Sequence, residues 1–471
     1  MNIKNPLNYT ALKRGVLLSF ILVANMNVVF GQEPLSLSDA IAISLDENYG
    51  IQIQEKQNII AKNNNAWGET GLLPTITLQL QSQNSRRNQS SDNLFFGGQL
   101  FPGFELNDQR TYNLVPSAQV NWTIFQGGKA ILTKRRLEQM EAESMQNAEV
   151  VVSNTIQSVI LAYYIAVLEK QRLKVYEKQM NLSADRFEYL RTKFEIGGAA
   201  STDVMLEEGN YLTDSVNIIN QGLIYHNAIR NLNVLMVNDN LNQDYELTDS
   251  LVFEDQNYNY DQLEGRMLSE NVDLKKIYVS QSILELEVKR NQADLYPKLN
   301  FNGGYEWNRN KSDLTSAEYS GPNTSYQNPP DPLISKTGTY FANFTLSFNL
   351  YNGGRVNRAI RNSVVSEDIG NLQIDQLKQS LTQDLMEAFE RYEIRKKIYM
   401  INARKEKVAE TNLNVSNEKF KNGSINSFDF RVVQNNYLAA SSQKLEALYL
   451  LKESRVELMR LTGGIVSSHD Q

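Results

Sequence analysis

Cysteine is absent from this chain of 471 residues, and histidine occurs only as His226 and His469. Without cysteine there are no disulfides, no lipobox cysteine and no thiolate metal sites. Two isolated histidines make no metal-ligand set, so His226 reads as helix surface and His469 as tail. No Walker sequence, nucleophile elbow or zinc spacing is present. The Gly-Gly pairs precede helices but match no phosphate-binding pattern. Positive charge is also in deficit: 47 Lys and Arg against 54 Asp and Glu give a net charge of -7, which disfavours nucleic acid as a partner. Beyond the N-terminal stretch, no segment reads as a transmembrane helix. Neither an enzyme nor a cofactor-binding protein is indicated.

What is present begins with a secretory front. Lys4, Lys13 and Arg14 precede an apolar stretch from Gly15 to Ala24, and Val29 and Gly31 are small enough to sit before a cleavage point. Residues 1–31 therefore read as a signal peptide, leaving Gln32 as the new N-terminus. The apolar stretch is too short to span a bilayer comfortably. Export removes three positive charges and no negative one, and the net charge becomes -10.

The remaining chain says nearly the same thing twice. Asn48, Leu73-Pro74, Phe125-Gln126-Gly127-Gly128 and Phe194-Glu195-Ile196-Gly197 recur as Asn271, Tyr296-Pro297, Tyr351-Asn352-Gly353-Gly354 and Phe420-Lys421-Asn422-Gly423. The offset is 223 residues at the prolines and 226 at the Gly-Gly pairs. We divide the chain into a first repeat at 32–240, an equatorial connector at 241–260, a second repeat at 261–465 and a tail at 466–471. A duplicated unit implies a quasi-symmetric object.

Each repeat holds two segments of strict alternation. Ile76, Leu78 and Leu80 share one face, with Thr75, Thr77, Gln79 and Gln81 on the other. Ala118, Val120, Trp122 and Ile124 form the second apolar face; Leu299, Phe301, Tyr305 and Trp307 the third; Ala342, Phe344, Leu346, Phe348 and Leu350 the fourth. Period two marks strands. Polar faces rich in Asn, Gln, Thr and Ser suit a watery lumen, and apolar faces suit lipid. Aromatics gather near the strand ends: Phe125 and Tyr351 at one, Tyr305, Trp307, Tyr340 and Phe341 at the other. Four strands cannot close a barrel, and an open edge cannot face hydrocarbon. The chain must therefore oligomerise. Two copies would give eight strands and three would give twelve, and strand physics alone does not choose. Residues 85–112 and 309–338 read as long polar loops on the outside of the cell.

The helices are unusually long. No proline interrupts Gly128 to Phe194, and no proline or further glycine interrupts Gly370 to Phe420. About 65 helical residues would extend on the order of 100 Å. Each long helix ends at a glycine tip, Ile196-Gly197-Gly198 and Asn422-Gly423-Ser424. Ser201 or Thr202, and Ser427, are the expected caps of the helices that return.

In these motifs, their order and their duplication, the chain resembles the TolC family of outer-membrane efflux ducts. The carrying residues are Leu35 to Ile41, Asn48, Leu73-Pro74, Phe125-Gln126-Gly127-Gly128 and both tips with the aspartates that follow, Asp203 and Asp429. The resemblance covers the mature chain. It implies a membrane α/β-barrel: four transmembrane strands per chain, completed to twelve in a homotrimer and continued by a periplasmic helical tunnel. It implies a passive exit duct in the outer-membrane lipid. A periplasmic adaptor would dock on Ile196, Gly197, Gly198, Asn422, Gly423 and Ser424. An inner-membrane pump, of the resistance-nodulation-division or ABC type, would drive transport. It further implies an aperture ring in which Asp429 matches one acidic position, Val432 replaces a second, Ile425 replaces a basic latch residue with Arg431 nearby, and Asp203 matches an acidic partner. An acid at a helix N-terminus also interacts with the dipole, worth about 0.3–1 kcal/mol. A duct for type I protein secretion would use the same part. A trimeric surface adhesin would also use four strands per chain, but in one terminal block.

Overall fold

The computed structural model describes residues 33–323 and 325–467. The expected signal peptide at 1–31, Gln32, His469 and the rest of the chain beyond residue 467 lie outside the described residues. Two compact units are built from interleaved segments. Among the described residues, one takes 33–53, Val150–Asn271 and 381–467; the other takes Gln54–Glu149 and Val272–Ser380.

The two stretches expected as repeats contain helices in the same order, the longest of them of matching length. The first repeat contains α1 (Leu37–Glu47), α2 (Tyr49–Asn64), α3 (Lys129–Glu195) and α4 (Ser201–Leu235). The second contains α5 (Tyr260–Glu270), α6 (Val272–Gln292), α7 (Arg355–Lys421) and α8 (Ser427–Leu461). α3 and α7 both have 67 residues, and α4 and α8 both have 35. α1 starts at a capping box: Ser36 Oγ accepts from the Asp39 amide, and the Ser36 amide donates to the Asp39 carboxylate. α5 is capped by the Asn259 side chain. α1 and α5 each end at an asparagine in extended backbone, Asn48 and Asn271. The Nδ2 of Asn48 donates to the Leu235 carbonyl at 3.3 Å, and that of Asn271 to the Leu461 carbonyl at 3.0 Å. The recurring asparagine thus supplies a donor to an orphan carbonyl in the last turn of its own repeat's return helix.

The core of the helical unit gathers Ile156, Val159, Ile160, Tyr163 and Val167 of α3 with Leu232, Leu448, Val456 and Ile465. Burying each such side chain stabilises by about 1.5–3 kcal/mol. By length and composition α3 could cross a membrane, contrary to the sequence reading. Within it, Ile156, Val159, Ile160, Tyr163 and Val167 are buried in this core. A two-stranded parallel pair, β1 (Glu33–Leu35) with β6 (Tyr245–Leu247), fastens the chain's start to the connector. Tyr163 Oη donates to the Leu35 carbonyl at 2.8 Å and contacts the Asp249 carboxylate; burial pushes its pKa up to about 12. Further along the connector, Glu254 meets Lys452 at 2.9 Å and Arg455 at 2.5 Å. The Lys452 hydrogen bond is the main force holding the Glu254 carboxyl below its ordinary range.

The other unit carries the sheet. Its long strands are β2 (Thr75–Ser91), β5 (Phe104–Gln126), β7 (Lys298–Asp313) and β9 (Leu333–Ser347), antiparallel in that order. β3 (Leu94–Phe96) and β4 (Gln99–Phe101) form a small hairpin, and β8 (Glu318–Ser320) pairs with β5. Several expectations need correction. Much of 85–112, read as loop, is strand. So are 309–313 and 333–338 of the second expected loop. The ladder continues there with polar residues on both faces, which periodicity cannot detect. The fourth strand stops at Ser347, so Phe348, Leu350 and Tyr351 lie outside it. Phe341 pairs with Gly304 and so sits on the polar face.

Register gathers the apolar side chains on one face. Leu299, Phe301, Gly303, Tyr305 and Trp307 stand opposite Leu346, Phe344, Ala342, Tyr340 and Gly338. Phe301 and Phe344 have ring centroids 5.0 Å apart, and Tyr305 and Tyr340 4.6 Å apart. Cross-strand aromatic pairs of this kind contribute about 0.2–1 kcal/mol each. The ladder between β5 and β7 lapses between Leu114 and Ser117, where Pro116 has no amide to donate.

Gly127 and Gly353 occupy the same place in the two repeats, and both have left-handed backbone, φ 58° and 67°. A Cβ on Gly127 would lie 2.4 Å from the Ala293 carbonyl oxygen and 2.8 Å from Tyr296 Cβ, whereas one on Gly353 would meet nothing within 4 Å. We expect Gly353→Ala to cost about 1–2 kcal/mol from backbone strain alone. Gly127→Ala should cost about 1–3 kcal/mol more. Denaturant midpoints of the two variants, measured side by side, check the difference.

Candidate functional site

Both glycine tips terminate their long helices by the same device. The amide of Gly197 donates to the Phe194 carbonyl, and that of Gly198 to the Lys193 carbonyl. Gly423 donates to Phe420, and Ser424 to Lys419, in the same pattern. This is the Schellman arrangement, which needs left-handed backbone at its centre; φ is 77° at Gly197 and 72° at Gly423. It satisfies the last carbonyls of α3 and α7 and frees the next residues to turn. Ile196, Gly197, Gly198, Asn422, Gly423 and Ser424 are all exposed, Ile196 at 80%.

The return helices are capped otherwise than the sequence suggests. The cap of α4 is Ala200, whose side chain cannot accept a bond, and the cap of α8 is Asn426, whose Oδ1 accepts from the Asp429 amide at 2.8 Å. Ser201, Thr202 and Ser427 stand one or two positions too late. Asp203 and Asp429 lie in the first turns of α4 and α8, exposed. Among the described residues, no side-chain hydrogen bond or ion pair joins either to a partner. Ile425 packs with Ala199, Val204 and Val433 around Leu190, Leu413, Phe420, Phe430 and Tyr437. A residue placed for a charged latch is therefore part of an apolar seam shared by both hairpins.

The charge lies deeper. Arg431 forms a two-pronged bond to Asp214, Nη1 to Oδ2 at 2.6 Å and Nη2 to Oδ1 at 2.8 Å, and Asp214 is 1% exposed. Ser183 donates to the same carboxylate, and Gln434 donates to Ser183 Oγ at 3.1 Å. Arg186 pairs with fully buried Glu207 at 2.7 Å, and its guanidinium lies 4.7 Å from the Phe430 ring centroid. Burial pulls the Arg186 guanidinium below its ordinary pKa, partly opposed by the Glu207 charge. The Nε and Nη1 of Arg186 and Oε1 of Glu207 have no hydrogen-bond partner among the described residues. The network ties α8, from the second repeat, to α3 and α4 of the first.

Sequence reasoning reached Arg431 only as a neighbour and missed Ser183, Arg186, Glu207, Asp214 and Gln434. A signal was available. At the 226-residue offset, Ser183, Glu207 and Asp214 correspond to Ala409, Val433 and Ala440. Polar residues of one copy thus stand where the other keeps small or apolar ones.

Residues 263–464 match the family model for the outer membrane efflux protein. Solved structures of outer-membrane channels share the fold over 91% of this chain. The Campylobacter jejuni CmeC outer membrane channel aligns at 13% identity and TM-score 0.68 over 85% of its own length. The outer membrane protein VceC from Vibrio cholerae aligns at 10% identity and TM-score 0.67 over 96%. The Neisseria gonorrhoeae MtrE outer membrane channel, in its open state, aligns at 13% identity and TM-score 0.65 over 89%. No curated protein matches the chain. The chain thus shares its fold with outer-membrane channels of known structure.

Removing Arg431 would leave Asp214 buried with its charge uncompensated, a change that typically costs about 3–5 kcal/mol. We expect Arg431→Ala to lose stability of that order in denaturant unfolding. Arg431→Lys should recover only part of it, because an ammonium cannot reproduce the planar two-pronged bond.

Proposed function

We propose that this chain is the outer-membrane exit duct of a tripartite efflux system, conducting substrates passively from a periplasmic adaptor and inner-membrane pump to the exterior. The observation that carries this reading is the sheet. It has one apolar face, one nearly uncharged polar face, and two open edges, β2 and β9. The apolar rungs from Leu299 to Trp307 extend about 27 Å along the strand. Such a band, tilted, suits a bilayer core. Open edges in hydrocarbon would cost several kcal/mol per unpaired group, so each protomer's β2 and β9 pair with other copies. Three copies make twelve strands around a watery lumen. The long helices continue this barrel as a periplasmic tunnel, and the two tips form its inner end. No chemical step is assigned; the role is conduction.

In this reading the exposed tips receive the adaptor, and Asp203 and Asp429 line the aperture. The buried pair between Arg431 and Asp214 joins hairpins that must part when the aperture opens. Two strand pairs separated by a whole repeat fit this duct better than an adhesin, whose strands form one block.

The missing cysteines make the test clean. Ser424→Cys, crosslinked in intact cells, should capture a periplasmic adaptor identifiable by mass spectrometry. The pump found with it separates small-molecule efflux from protein secretion. Capture of only other copies of this chain would overturn the docking assignment. In planar bilayers, Asp429→Ala should lower cation selectivity; unchanged selectivity would remove Asp429 from the aperture.

A further inference from the structure

The apolar face of the sheet does not stay apolar. Beyond Trp307 and Gly338, the next rung on the same face places Arg309 directly opposite Lys336. The rung after that brings Lys311 beside Tyr112, with the ammonium 5.4 Å from the ring centroid. One rung further, Arg86, Arg110 and Asp313 lie abreast. Five cations thus form a belt immediately past the aromatic pairs, on the side that reads as lipid-facing. Over the same rungs, the other face carries Asn308, Asn310, Ser312, Ser335, Thr337, Thr111 and Asn113, with Arg87 as its one charged residue. The charge is one-sided.

Like charges directly opposite on paired strands are destabilising. At Arg86 and Arg110 the chain supplies its own remedy. Asp108, in left-handed backbone at φ 59°, contacts Arg86 at 2.5 Å and Arg110 at 3.0 Å. At Arg309 and Lys336 it supplies none. Among the described residues no ion pair involves Arg309, Lys311 or Lys336. The nearby Asp313 carboxylate accepts from Thr315, by its amide at 3.2 Å and its hydroxyl at 2.7 Å. Arg309 and Lys336 are exposed.

We infer that Arg309, Lys311 and Lys336 bind the phosphate groups of lipid headgroups in the outer leaflet, as a docking belt above the hydrocarbon. This rests on the barrel reading. An aromatic layer followed by cations is the order met on leaving the bilayer core for its anionic surface. The phosphate plays at Arg309 and Lys336 the part that Asp108 plays at Arg86 and Arg110.

The test uses full-length protein in phosphatidylcholine nanodiscs, with or without phosphatidic acid as the phosphomonoester probe. Bound phosphatidic acid is measured by native mass spectrometry. Each cation near the surface is worth about fivefold in binding, so Lys311→Gln/Lys336→Gln should bind about 25-fold more weakly. Arg87→Gln, on the opposite face, should bind as the unaltered protein does. No loss in the double variant, or equal loss in Arg87→Gln, overturns the belt. Displacement by inorganic phosphate would indicate an aqueous anion site and overturn it too. Quenching of Trp122 and Trp307 by bromine-labelled acyl chains is read in the same discs. Absent quenching, the barrel reading itself fails; quenching without the charge effect removes only the belt.

Discussion

A β-strand cannot end its hydrogen bonding at a lipid boundary, and most of this architecture answers to that constraint. The sheet of four long strands satisfies its interior ladders and leaves two edges. In water an edge is tolerable; in hydrocarbon it is not. In the duct we propose, other copies of the chain pair with these two edges and close the barrel. The helices face no such demand, because their bonds close within each segment. Their problem is at the ends, where carbonyls are orphaned. The chain meets it with the Schellman turns at Gly197 and Gly423 and with the side chains of Asn48 and Asn271.

The two ends of the duct we propose use charge in different ways. In the sheet, cations gather on one face, and among the described residues no ion pair involves Arg309, Lys311 or Lys336. Near the tips, charge is withdrawn from solvent: Arg186 with Glu207 and Arg431 with Asp214 are buried in pairs. Burying ion pairs contributes little net stability when they are whole, and breaking them is costly. Such pairs make a contact that is either complete or lost, which suits the hairpin joint of the gated duct we propose.

Much of this was legible in the sequence. Period-two alternation located the four long strands, because their apolar and polar residues fall on opposite faces. It failed at Arg86, Arg110 and Lys311, where both faces are polar and the ladder runs on without a pattern. Glycine located both tips, because left-handed backbone is hard for other residues. The caps were misplaced: Ser427 and Asn426 both carry a capping group, and only backbone geometry decides between them. The buried network was hidden by the habit of assigning charged helix positions to solvent. Asp214 and Glu207 occupy core positions, and only the contrast with Ala440 and Val433 in the sister repeat betrays them.

The two offsets between repeats have a practical meaning. Asn48 and Asn271 stand 223 residues apart, as do Pro74 and Pro297, whereas Gly127 and Gly353 stand 226 apart, as do the helices that follow. All the difference in length since duplication therefore falls within strand, hairpin and strand. Three residues added to a long helix would turn every later side chain by most of a revolution and misalign its buried stripe. Three residues added beyond the last rung of a hairpin move nothing beneath it. The hairpin from Leu94 to Phe101 is thus where we expect this chain to accept foreign sequence, such as an affinity tag or a displayed peptide, without shifting the register of the long strands.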